Sequence, residues 1–272
     1  MEEINNSMPK LSIITINLND AIGLEKTILS IVNQNFVDFE LIVIDGGSVD
    51  GSVEVIKKYV HKITYWQSES DNGIYHAMNK GIAKARGEYC FFLNSRDYLV
   101  NQKVLENLFV NDLKEDVIFG NLLIVDHEQN VIGKAKGKDD ITFIDVYNNL
   151  IKHQASFIKK DLFNKFGFYN EKLRIIADWE FLLRTIFHAN CSVKYFDIDI
   201  SCYDNHGISS TNTTKNYIQI WTREKNEIIN QYIPYILQKD ILLFSGLSKY
   251  QFLFYNKFTL LIIKLLFKIF KK

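Results

Sequence analysis

Along the first hundred residues, short β-branched and aromatic runs alternate with segments whose apolar positions recur at helical spacing. Leu11–Asn17 reads as a first strand, and Asp20 is placed to cap a helix with apolar positions Ile22, Leu24, Ile28, Leu29, Ile31 and Val32. Residues 41–44 give a second strand, 53–60 a helix opened by a glycine-rich turn, and 63–66 a third strand. The helix predicted over 74–86 is closed by Gly87 as a left-handed cap, and 88–93 is the fourth strand. Such alternation predicts an α/β fold, a mostly parallel sheet with helices on both faces.

Beyond residue 100 the pattern loosens. It predicts a helix over 103–113, a short strand at 117–119, a hairpin within 121–132 turning at 127–130, and an extended segment at 153–158. Ala177–His188 has strong helical periodicity, 192–200 alternates as a strand, 204–215 is a polar loop, and helical spacing returns from Tyr217. No internal repeat is visible.

Three polar clusters follow three of the strands: Asp45-Gly46-Gly47-Ser48-Val49-Asp50-Gly51, Glu69-Ser70-Asp71-Asn72-Gly73, and Asn94-Ser95-Arg96-Asp97. In an open parallel sheet the carboxyl ends of neighbouring strands lie side by side, and ligands bind in the crevice outside them. Acidic groups gathered there can hold a cation and a phosphorylated ligand, so a nucleotide-using enzyme is the first expectation.

Composition narrows this further. The chain has 272 residues, enough for a sizeable core, and its three cysteines, Cys90, Cys191 and Cys202, form no CxxC pair. Reduced thiols are expected, and the acidic, polar start Met1-Glu2-Glu3 is unlike a secretory signal, which points to the cytoplasm. The net charge of zero hides an asymmetry. All six charged residues after Asp240 are lysines, so the rest of the chain carries an excess of acid and is a poor match for nucleic acid.

The chain resembles the family 2 glycosyltransferases, inverting enzymes of the GT-A fold, over about residues 11–210. The resemblance rests on the first strand, Asp45-Gly46-Gly47-Ser48-Val49-Asp50-Gly51, Gly73-Ile74-Tyr75-His76-Ala77-Met78-Asn79-Lys80-Gly81, Leu93-Asn94-Ser95-Arg96-Asp97, His153-Gln154 and Ala177-Asp178-Trp179-Glu180. It implies transfer of a sugar, with inversion, from a nucleotide-sugar donor (a UDP-sugar is expected) to a glycan or lipid-linked acceptor in cell-surface polysaccharide synthesis.

By the same resemblance Asp178 is the catalytic base, and Asp97 holds a divalent cation, Mg²⁺ or Mn²⁺, whose charge stabilises the leaving diphosphate; His206, in the polar loop, is placed to reach the metal or the diphosphate when the loop closes. Thr15, Asn17, Asp45, Asp50, Asp71, Asn94 and Arg96 are implied to contact the donor. The alternatives are local. Asp97 and Asp50 suit helix N-caps, Asp71 suits loop solvation, His153 with Gln154 either matches a pair the family places in the acceptor region or is a structural histidine, and Glu180, pointing elsewhere than Asp178, suits an ordinary surface acid. Two departures stand out. Relatives commonly carry a second acid where this chain has Gly46, and an acid or small residue where it has Arg96. Arg96 either faces solvent, contacts diphosphate, or marks weakened metal binding.

Residues 1–215 are expected to form the catalytic domain, and 216–272 a helical, basic, amphipathic segment. Lys257, Lys264, Lys268 and Lys271 share one helical face amid Leu, Ile and Phe, with no uncharged run long enough to span a bilayer. The segment suits the surface of an anionic membrane, which would place the enzyme peripherally on the inner face of the cell membrane. The alternative is a helix docked on the protein's own core. A non-catalytic nucleotide-binding partner of another transferase is the competing function, and the absence of GxGxxG after the first strand disfavours a dehydrogenase.

Overall fold

The computed structural model describes residues 8–188, 190–204, 215–235 and 237–240. In chain order the elements are β1 (Leu11–Asn17), α1 (Ala21–Val32), β2 (Phe39–Asp45), α2 (Ser52–Lys58), β3 (Tyr65–Ser68), α3 (Ile74–Lys84), β4 (Tyr89–Phe92), β5 (Tyr98–Leu99) and α4 (Val104–Phe109). They continue with β6 (Val117–Val125), β7 (Val131–Ala135), α5 (Phe143–Tyr147), β8 (Ser156–Lys159), α6 (Lys160–Phe166), α7 (Ala177–His188), β9 (Val193–Asp204) and α8 (Lys215–Tyr232).

The strands form one mixed sheet in the order β3-β2-β1-β4-β8-β6-β9-β5, with β7 paired to β6. β3, β2, β1 and β4 are parallel, so the ends of β1 and β2 are level, Asn17 opposite Asp45. β8 pairs antiparallel with both β4 and β6, and β6 runs parallel to β9. Successive residues of a strand point to opposite faces, and this divides β1 between two cores. Leu11 and Ile13 pack with Leu24, Ile28 and Ile31 of α1, whereas Ile14 and Ile16 pack with Met78 and Ile82 of α3. Burial on both faces is why the parallel strands read as continuous apolar runs.

The second face also carries α7 and α8. Phe181 and Leu182 of α7 and Ile228 of α8 lie in the same core. Glu224 of α8, 1% exposed, accepts the backbone N–H groups of Arg174 at 2.7 Å and Ile175 at 3.1 Å. Thus α8 holds the turn that leads into α7. The basic stretch after residue 240 lies outside the described residues, and no described helix is long and apolar enough to cross a membrane.

Several local expectations shift. Gly87 is not a left-handed cap: α3 ends at Ala85, in extended conformation. A Cβ on Gly87 would sit 2.5 Å from the backbone nitrogen of Ser12, so glycine is required there by close packing against β1. The expected hairpin is present, its turn held by Asp126 and Asn130, but β6 extends to Val125 well past the predicted strand at 117–119.

Candidate active site

Asp45 ends β2 with its side chain wholly buried and organises the first corner. It accepts Nδ2 of Asn17 at 2.7 Å, Oγ of Ser68 at 2.6 Å, and Oγ and the backbone N–H of Ser48 at 2.5 and 2.9 Å. Burial works to raise its pKa, but hydrogen bonds from Ser48, Ser68 and Asn17 outweigh it and hold the carboxyl below its ordinary value. The ends of β1, β2 and β3 are joined by this one carboxylate. Thr15 Oγ1 and Asn17 Oδ1, two residues apart in β1, are buried without a hydrogen-bond partner among the described residues.

The left-handed conformations at Gly47 (φ 82°) and Gly51 (φ 99°) shape the turn after β2, whereas Gly46 needs no such freedom. A Cβ on Gly46 would meet Oδ2 of Asp71 and Cδ1 of Leu18, both at 3.2 Å. Asp71 therefore lies over the position where relatives carry a second acid. Lys80 pairs with Asp71 at 2.5 Å and with Glu69 at 2.9 Å. Asp50 is exposed, and its carboxylate is occupied by the N–H of Ala21 at 2.8 Å and Oγ of Ser52 at 2.6 Å. It ties the start of α1 to the start of α2, outside the buried cluster.

The turn after β4 presents Asn94, Arg96 and Asp97. Thr27 of α1 donates its hydroxyl to the carbonyl of Asp97 at 2.7 Å, fixing the turn against the helix. Arg96 has a φ of 81°, in the left-handed region that a non-glycine residue enters only when its surroundings over-determine it. The surroundings are Asp20, which grips the guanidinium at 3.0 and 2.8 Å while also capping α1 through the N–H of Gly23. Arg96 is thus committed to Asp20, an arrangement that none of the three sequence alternatives included.

Asp97 is 5% exposed, and its carboxylate meets the N–H of Asp204 at 3.4 Å. Burial pushes its pKa from the ordinary 3.8 up to about 7, against the opposing charge of His153. A carboxyl raised on folding stabilises the folded state at low pH, and that contribution fades as pH climbs from about 4 toward 7. In chelator, Asp97→Asn should therefore melt higher than the parent at pH 8, with the difference closing toward pH 4. A difference that widens with acid would contradict this burial effect.

At the head of α7, Asp178 faces inward. Its Oδ2 lies 2.7 Å from Nδ1 of His153, and its Oδ1 is 2.9 Å from the Tyr75 hydroxyl, which also reaches the carbonyl of Ile175 at 2.7 Å. Burial works to raise the Asp178 pKa, but the bonds from His153 and Tyr75 prevail and hold it below its ordinary value. Glu180 turns the other way, as its two-residue offset requires, but it is no surface acid. It is 2% exposed and takes Nε of Arg184 and the Tyr232 hydroxyl, both at 2.8 Å. Tyr75 and Lys80 carry no individual role in the sequence reading, although both stand in the Gly73–Gly81 motif. His206 lies outside the described residues.

The donor set fits a hard divalent cation of the Mg²⁺ or Mn²⁺ type. Asp97 supplies one buried carboxylate, and Asn94 Oδ1, in the same turn, is buried without a partner among the described residues. Among those residues no group of three or more His, Cys, Asp or Glu side chains is placed to hold a metal ion. One or two carboxylates completed by substrate phosphates and water is a common arrangement for Mg²⁺.

The glycosyl transferase family 2 model matches residues 12–174, more than half of the chain, and the chain belongs to that family. It is 28% identical over 218 residues to the PGL/p-HBAD biosynthesis glycosyltransferase of Mycobacterium bovis, covering 78% of this chain and 83% of that one. An uncharacterized glycosyltransferase of Haemophilus influenzae is also 28% identical, over 90% of this chain and 99% of its own. Among solved structures, S. aureus TarS 1-349 in complex with UDP-GlcNAc superposes with a TM-score of 0.68 at 18% identity, covering 89% of this chain and 73% of that one. The mannosyltransferase of Pyrobaculum calidifontis in complex with GDP-Man and Mn²⁺ gives 0.55 at 14% identity, over 73% and 57%. The fold is GT-A, and the protein is a glycosyltransferase.

Proposed function

We propose that this glycosyltransferase moves a sugar, with inversion, from a UDP-sugar to a glycan or lipid-linked acceptor of the cell envelope. The observation that carries the reading is Asp178 turned inward at the head of α7, within 2.7 Å of His153 and 2.9 Å of Tyr75, in a molecule whose Asp97 is a buried carboxylate in the turn after β4. Inversion needs the acceptor oxygen to attack the anomeric carbon as the diphosphate leaves, with a neighbouring group taking the hydroxyl proton. The His153–Asp178 pair supplies that group, Asn17 and Asp71 line the donor end, and Asp97 with Asn94 would hold the cation. A bound cation withdraws charge from the diphosphate. The UDP-GlcNAc held by TarS and the GDP-Man and Mn²⁺ held by the archaeal enzyme support a nucleotide sugar and a metal, and the mycobacterial relative's name supports an envelope glycan.

Calorimetry with UDP tests the metal part. Affinity should be at least about tenfold higher in Mn²⁺ than in chelator, a difference of about 1.4 kcal/mol. Asp97→Ala should erase the difference, and equal affinity in the parent under both conditions would remove the metal role.

The lysine-rich stretch 249–272 we assign to an anionic membrane surface, on its sequence alone. Each lysine near such a surface adds about 1 kcal/mol, a contribution that salt weakens. Removing residues 250–272 should release the protein from anionic vesicles without changing its melt. Continued pelleting, or loss of a cooperative melt, would assign the stretch to the core.

A further inference from the structure

Residues 170–176, which lead into α7, form neither helix nor strand. A segment without its own hydrogen-bond ladder must find partners for its backbone groups elsewhere. The N–H groups of Arg174 and Ile175 find theirs on Glu224 of α8, at 2.7 and 3.1 Å. The carbonyl of Ile175 accepts the hydroxyl of Tyr75, from α3, at 2.7 Å. Ile175 is thus held by its amide from α8 and by its carbonyl from α3, just before Asp178.

The same Tyr75 hydroxyl lies 2.9 Å from Oδ1 of Asp178. A phenol carries one proton, so the Ile175 carbonyl and the Asp178 carboxylate compete for a single donor. The place of the carbonyl therefore decides how that donor meets the carboxylate. Tyr75 and Glu224 are both buried, at 6% and 1% exposure, so bulk water does not stand in for either. Glu224 lies well beyond residue 174, where the family match ends, and no motif marks it. Nor is it what attaches α8. Lys225 Nζ sits over the rings of Tyr147 and Trp221 at 4.1 and 4.8 Å, and the Tyr232 hydroxyl donates to Glu180 of α7 at 2.8 Å. The two bonds of Glu224 go to the turn alone.

We propose that Glu224 is a positioning residue for sugar transfer: through Ile175 and the Tyr75 hydroxyl it holds the Asp178 carboxylate in the orientation that takes the acceptor proton. This rests on the reading as a sugar transferase with Asp178 as base. Misplacing a catalytic group by about 1 Å costs up to about a hundredfold in rate, even when the change is remote. The effect falls on kcat, because the groups assigned to the donor stand apart from this path.

The test uses the full chain and two readouts. In ¹³C spectra of the ligand-free protein at neutral pH, Glu224→Ala should move the Tyr75 Cζ and Asp178 Cγ resonances. In a Tyr75→Phe background it should leave Asp178 Cγ in place. Resonances that stay put in the first case, or an Asp178 shift that persists in the second, overturn the proposal whether or not any sugar nucleotide is turned over. The second readout is UDP release from UDP-GlcNAc in Mn²⁺, with water as acceptor, well below the melting temperature. Glu224→Ala should lower kcat about tenfold or more and leave the donor KM within about twofold. Glu224→Gln, which keeps one acceptor oxygen, should recover part of the rate. The double variant with Tyr75→Phe should be no slower than Tyr75→Phe alone, as expected when two residues act through one contact. Losses that multiply in the double variant, or a raised KM with kcat unchanged, overturn the proposal. If Glu224→Ala does not melt cooperatively, Glu224→Gln carries the same comparisons. A parent that turns over no sugar nucleotide would overturn the transferase reading beneath, leaving the spectra to decide the contact path.

Discussion

Asp178→Asn should lower sugar transfer by about a hundredfold or more while donor affinity changes by less than about twofold. The asymmetry follows from position. Asp178 touches His153 and Tyr75, whereas the groups assigned to the donor stand at the ends of β1 and β2 and in the turns after β3 and β4. Asparagine preserves size but removes the carboxylate that can take the acceptor proton. Glu180→Gln should act differently. Glu180 faces Arg184 and Tyr232, so its loss should lower the melting temperature and leave the rate per folded molecule near that of the parent. Steady-state rates with donor titration distinguish the two, and a larger rate loss in Glu180→Gln than in Asp178→Asn would reverse the assignment.

The largest expected effect on stability belongs to Asp45→Ala. This carboxylate has no exposed surface and collects donors from Asn17, Ser48 and Ser68, thereby joining three parallel strands. Truncation leaves those donors facing an apolar hole. Each hydrogen bond to a charged group is worth about 1.5–3 kcal/mol, and non-additivity brings the expected total to about 3 kcal/mol or more. For a chain of this size that is a fall in Tm of about 10 °C. Thermal unfolding followed by circular dichroism measures it. A melt within about 2 °C of the parent would mean that the strand ends hold without this carboxylate.

The parallel half of the fold was legible because its strands are buried on both faces and its helices are amphipathic. β1 and α7 match the residues read from the pattern alone, Leu11–Asn17 and Ala177–His188. β3 runs two residues later than read, because Ile63 and Thr64 belong to the turn that brings the strand against β2. Gly87 was misread because a close backbone approach and a left-handed cap leave the same mark in a sequence. β6 was cut short at Gly120-Asn121, where a Cβ on the glycine would collide with Ile198 of β9. A glycine that looks like a break there permits pairing instead.

Within the candidate site, motifs give the place of each residue in the fold better than what it touches. Asp97, Asp45 and Asp178 are buried or half-buried acids at strand and helix ends, as their positions in the motifs imply. The pairings that define their roles join distant parts of the chain. Asp20 holds Arg96 across 76 residues, and Tyr75 meets Asp178 across 103. No local pattern encodes such a contact. The two departures from the family pattern are likewise accounted for only in space, since Asp20 holds Arg96 and Asp71 lies over Gly46.

The most direct measurement of the central claim is turnover of a panel of nucleotide sugars by the full chain in Mn²⁺, read as released nucleoside diphosphate and repeated with Asp178→Asn. The account predicts release from a UDP-sugar above all others, dependent on metal and reduced about a hundredfold or more in the variant. A folded parent that binds and turns over none of the panel, or an Asp178→Asn variant as fast as the parent, would contradict it.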